Sequence, residues 1–140
     1  MGSVEDEKIK VMYEARKKLV LKALEDVKEL IPISYVLACP DTAQWIRVVI
    51  KFKDPKKATI YATDLHDYIY TRYHTDPKFF VVDRVNPSSR KRLFEDCEFI
   101  FGDEREYEED KKRTEEEARR FLSQIELVRR LYSKGSEGSS

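Results

Sequence analysis

Trp45-Ile46-Arg47-Val48-Val49-Ile50-Lys51-Phe52-Lys53 alternates with a period of two. Ile46, Val48, Ile50 and Phe52 project to one side; Trp45, Arg47, Val49 and Lys51 project to the other. Successive side chains of a strand point to opposite faces, so this pattern predicts a half-buried strand whose second face is mixed in character. Asp54-Pro55 closes it. Just upstream, Ile33 to Cys39 is short and apolar, and Pro40-Asp41-Thr42 reads as the turn between two strands.

Helices flank this pair. From Val4 to about Ile31, apolar residues recur at helical spacing (Ile9, Met12, Leu19, Val20, Ala23, Leu24, Val27), with Ser3 and Asp6 as a loose capping pair and Pro32 as the stop. Residues 57–73 carry Ile60, Leu65, Ile69 and Tyr73 at helical spacing, although Tyr68-Ile69-Tyr70-Thr71 is rich in strand formers; a helix is expected. Strands are expected at Phe79 to Val85 and Cys97 to Phe101, separated by the polar turn Asn86 to Ser89 and the basic run Arg90-Lys91-Arg92. Asp103 and Glu106 form a capping-box-like pair that opens the last helix, whose apolar seam is Tyr107, Ala118, Phe121, Ile125, Val128 and Tyr132. Acidic residues crowd its first turns and arginines its last, as the helix dipole favours.

The fold class is therefore α+β: a long N-terminal helix, then strand-strand-helix-strand-strand, then a long C-terminal helix. Residues 1–32 are expected as the N-terminal amphipathic helix, 33–133 as the α+β domain with its C-terminal helix, and 134–140 as a Gly/Ser-rich disordered tail. At about 1.5 Å per residue the terminal helices outrun the short strands. Most of each stripe is expected in the core, with the overhang free to pair with another helix.

Composition limits the function. Of 140 residues 39% are charged, with 27 basic and 27 acidic, so no global basic field attracts nucleic acid. No apolar run approaches the roughly 18–20 residues of a membrane span, and the acidic start does not resemble a targeting peptide. Cys39 and Cys97, the two cysteines, read as separate core thiols, which fits a cytoplasmic location. Asp64, His66, Asp67, His74 and Asp76 are the densest group of candidate ligands, but they read as a solvated helix face because neighbouring helix positions diverge. No metal, cofactor or catalytic residue is expected. The cations beside the strand turns are the remaining candidates: Lys56, Lys57, Arg84, Arg90, Lys91 and Arg92, which would meet phosphates without reading bases.

Pro55-x-Lys57-Ala58-Thr59-Ile60-x-x-Thr63-Asp64-Leu65, Tyr73-x-Thr75-x-Pro77, Phe79-Phe80-Val81-Val82-Asp83-Arg84-Val85 and Phe99-Ile100-Phe101 together resemble the eukaryotic and archaeal small-subunit ribosomal protein family numbered twenty-four. The resemblance spans about residues 45–107. It implies a non-enzymatic, ribosomal-protein-like module that binds structured RNA through those six cations. The alternative is a protein-interaction adaptor that docks on a partner, or on a second copy, through its terminal helices. Membrane partners are not expected.

Overall fold

The computed structural model describes residues 4–40 and 45–138, with side chains to residue 134. The expected Ser3 cap and the Asp41-Thr42 turn lie outside the described residues. The element order is α1 (Val4–Val27), β1 (Ile33–Cys39), β2 (Ile46–Phe52), α2 (Ala58–Tyr73), β3 (Pro77–Val81), α3 (Pro87–Asp96), β4 (Glu98–Gly102) and α4 (Glu104–Gly138). The expected α+β layout is present, with α3 added between the last two strands.

The sheet has the order β3-β2-β1-β4. β1 pairs antiparallel with both β2 and β4, whereas β2 and β3 run parallel. A parallel pair needs a crossover, and α2 supplies it. All seven residues of β1 are buried, so both faces of the sheet must be covered.

One face carries Val36 and Ala38 of β1 with Ile46, Val48, Ile50 and Phe52 of β2. These pack on Val20, Ala23 and Leu24 of α1 and on Leu65 and Ile69 of α2. The alternation in β2 thus divides its residues as the sequence predicts. Helix α1 shares one core with the sheet. The other face carries Tyr35, Leu37 and Val49, covered by Leu93 and Phe94 of α3 and Tyr107 of α4.

Four boundaries differ from expectation. Helix α1 ends at Val27, and the amides of Leu30 and Ile31 both donate to the Val27 carbonyl, which turns Ile31 into the core. The strand expected at Phe79 to Val85 is Pro77–Val81, followed by a 3-10 turn over Val82–Arg84. The supposed polar turn at Asn86 is a helix start: Asn86 caps the Ser89 amide at 2.9 Å and Pro87 fills the first turn, where its missing N–H costs nothing. At the other end of the chain α4 runs on to Gly138, past the point where a disordered tail was expected.

The β4–α4 corner turns on Gly102, which has a φ of +100°; a Cβ there would lie 2.4 Å from the Ser34 carbonyl oxygen. Cys39 and Cys97, read as separate thiols, are joined in a disulfide that links the end of β1 to the start of β4 across 58 residues. That bond removes the argument for a reducing compartment drawn from unpaired thiols. No helix among the described residues is long and apolar enough to cross a membrane.

Because Leu24 is fully buried between α1 and the sheet, Leu24→Ala is expected to cost about 3 kcal/mol. Urea unfolding should show a lower midpoint with an unchanged slope.

Candidate functional site

The second face of the sheet holds a buried polar network. Tyr35 donates a 2.7 Å hydrogen bond to Asp110 Oδ2, and Lys51 Nζ donates to the same oxygen at 2.8 Å. Arg113 pairs with the other carboxylate oxygen. Lys51 also pairs with Glu106 at 3.2 Å. Burial works against the charge of Lys51, but the hydrogen bond and charge of Asp110, with those of Glu106, outweigh it and hold Lys51 above the usual lysine range. Burial first, then the Asp110 contact, pushes the Tyr35 phenol far up, so it stays protonated and donating. The mixed face read from β2 is therefore where α4 is fastened.

A second cluster joins α1 to α2. Asp26 accepts hydrogen bonds from Tyr73 at 2.5 Å and Tyr68 at 2.7 Å. These two phenols, Tyr73 foremost, hold the Asp26 carboxyl below the ordinary range.

The six expected phosphate contacts do not form one surface. Arg90 is turned inward against Glu117 of α4 at 2.5 Å, with its side chain only 15% exposed. Lys91 pairs with Glu95, one helical turn on, at 3.6 Å. Lys56 and Lys57 sit on the 3-10 turn after β2 and are exposed. Only Arg84 and Arg92 share a cleft, of about 580 Å³, lined also by Arg47, Phe80, Asn86 and Ser89. Consecutive cations on a helix point about 100° apart, which is why Arg90, Lys91 and Arg92 separate once the run is helical.

Of the candidate ligand group, His66 Nε2 lies 3.1 Å from Asp76 and its Nδ1 lies 3.4 Å from Asp67. His74 is elsewhere, capping α2 in a left-handed conformation with φ 53°. Among the described residues no group of three or more His, Cys, Asp or Glu is placed to hold a metal ion. Beside His66 a second cleft, of about 670 Å³, is lined by Trp45, Arg47, Lys78, Phe79 and Phe80.

The other unabsorbed surface is the C-terminal half of α4. Every residue from Leu122 to Lys134 is exposed. Ala118 is 1% exposed, yet Ile125, Val128 and Tyr132, further along the same seam, are 37%, 50% and 76% exposed.

No protein-family model matches this chain, and no curated protein does. Solved structures do. A chain of the toxin-antitoxin MntA-HepT crystal structure superposes with a TM-score of 0.66 at 10% identity, over 82% of this chain and 94% of that one. A chain of the tri-AMPylated Shewanella oneidensis HEPN toxin in complex with MNT antitoxin gives 0.67 at 10% identity, over 84% and 95%. A toxin-antitoxin structure with AMP-PNP gives 0.65 at 9% identity, over 80% and 94%.

This chain shares their fold. The resemblance to the ribosomal family is thereby overturned, because its motifs cover less than half the chain while these matches span more than three quarters. The structured-RNA function is withdrawn with it. The expectation of a non-enzymatic module falls too: the proteins that share the fold belong to toxin-antitoxin complexes, one determined with AMP-PNP and one holding a tri-AMPylated toxin.

Two outcomes test the clusters. Asp110→Ala leaves Lys51 and Tyr35 without their shared acceptor, and is expected to cost about 3 kcal/mol in chemical unfolding. The Asp26 clasp has a depressed folded pKa, so its contribution is complete above the unfolded carboxylate pKa of about 3.9 and is lost as pH falls through the folded value. Thermal midpoints measured through the acid range should therefore fall less steeply in the Tyr68→Phe/Tyr73→Phe variant than in the parent.

Proposed function

We propose that this chain is one subunit of a two-protein assembly of the toxin-antitoxin kind, and that it grips its protein partner with the C-terminal half of α4. The observation that carries this reading is the seam Ala118, Phe121, Ile125, Val128, Tyr132. Its steps alternate between three and four residues, the spacing of a helix that packs lengthwise on another helix or in a groove. The domain covers the start of that seam, where Tyr107, Thr114 and Ala118 are buried and Phe121 is half-buried, and leaves Ile125, Val128 and Tyr132 exposed.

A lone helical extension of this length is marginal in water, since most helix stability in proteins comes from packing of an apolar face. A partner surface that continues the cover beyond Ala118 supplies that packing. The complexes in which this fold occurs support a protein partner for this chain as well.

A second copy fits the seam less well. Residues 119–134 hold five cations (Arg119, Arg120, Arg129, Arg130, Lys134) and one acid, Glu126. Pairing two such segments in either direction sets arginines against arginines, which weakens the pair. A partner with an apolar strip edged by carboxylates matches better.

The test is reconstitution. Tagged full-length chain, expressed in its own host, should bring down one partner protein in stoichiometric amount, and the two should re-form a complex after separate purification. The Ile125→Glu/Val128→Glu variant should lose the partner at least a hundredfold in affinity, at about 2 kcal/mol or more per buried anchor, with unchanged thermal stability. A partner that binds the variant as tightly as the parent, or a chain that elutes only as its own dimer, would defeat the proposal.

A further inference from the structure

Arg84 and Arg92 differ from the cations that surround them in the fold. Lys51, Lys78, Arg90 and Lys91 are all ion-paired. Arg84, just beyond the β3 edge, donates to the hydroxyl of Thr59 at the start of α2, a neutral acceptor that leaves its charge uncompensated. Arg92 makes neither a hydrogen bond nor an ion pair among the described residues. Both line the same cleft with Arg47, and the one carboxylate there, Asp96, leaves an excess of positive charge. The first turn of α3 runs along the cleft through Asn86 and Ser89, and the start of a helix favours negative charge.

The cleft does not end there. Arg47 and Phe80 also line the second cleft, which opens onto Trp45 and Phe79. The Arg47 guanidinium lies over the Phe80 ring at 5.9 Å. A cationic end therefore passes, through shared walls, into an aromatic end. The two volumes, about 580 and 670 Å³, fall within the range of small-molecule sites.

We propose that this groove binds a small phosphomonoester, with the phosphate held by Arg84 and Arg92 and the body of the molecule lying towards Phe80 and Trp45. Paired guanidinium groups suit a phosphate dianion because each offers a planar fork of donors. No metal is needed for this contact; the arginines neutralise the charge directly.

Trp45 is the single tryptophan of the chain and lies at the aromatic end, so its fluorescence reports occupancy. Titration of the full chain with adenosine 5′-monophosphate should change that signal saturably, and ribose 5-phosphate and inorganic phosphate should compete. Arg92→Ala, which removes no hydrogen bond or ion pair among the described residues, should raise Kd about tenfold, and Arg84→Ala/Arg92→Ala about a hundredfold, as expected for charged hydrogen bonds. Circular dichroism would confirm that both variants remain folded. If ribose 5-phosphate binds as tightly as the nucleotide, the phosphate seat stands and the ligand is a sugar phosphate. Adenosine binding as tightly as its phosphate, an affinity indifferent to Arg92→Ala, or no saturable binding by about 10 mM would each overturn the proposal.

Discussion

Seven consecutive buried residues in β1 set the terms for everything else in this protein. A strand buried on both faces leaves no side of the sheet free for water, so helices must cover it twice. Helices α1 and α2 close one face with aliphatic side chains, while α3 and α4 close the other with aromatic ones, Phe94 and Tyr107 against Tyr35. The disulfide between Cys39 and Cys97 fixes the second cover where β1 ends. The parallel β2–β3 pair then follows from the α2 crossover between them.

The second cover is also where polarity enters. Lys51 stands on a face that is otherwise core, and a lysine there is tolerable only with a carboxylate in contact. Asp110 meets that need and, through Tyr35 and Arg113, locks the first turns of α4 in register against the sheet. From that anchor the helix runs on beyond the cover of the sheet. Its apolar seam does not stop at the domain edge, and this mismatch between seam and cover is the observation on which the proposed partner surface rests. A helix whose seam ended at Ala118 would carry no such implication.

Much of the fold was legible in the sequence because period is a local property. The alternation of Ile46 to Phe52, the helical spacing of α1, and the Asp103 cap of α4, whose side chain accepts from the Glu106 amide at 3.1 Å, depend on neighbours a few residues away. Helix α3 escaped for the opposite reason. Asn86-Pro87 is equally a turn signal and a cap followed by a first-turn proline, and only the burial of Leu93 and Phe94 against Tyr107 decides between them. The same error made a loop of Arg90, Lys91 and Arg92, and hence a single cationic surface of what is one buried pair, one surface pair and one open arginine.

The sequence by itself determined every element but α3, together with the sidedness of β2 and the seam of α4, since these follow from side-chain order along one chain. Only the tertiary structure decided which cations are spent on carboxylates, that two cysteines 58 residues apart are bonded, and how far the seam is covered. Each of these is a distance between residues remote in the chain. No periodicity encodes such a distance; it exists only after the sheet has brought its two covers together.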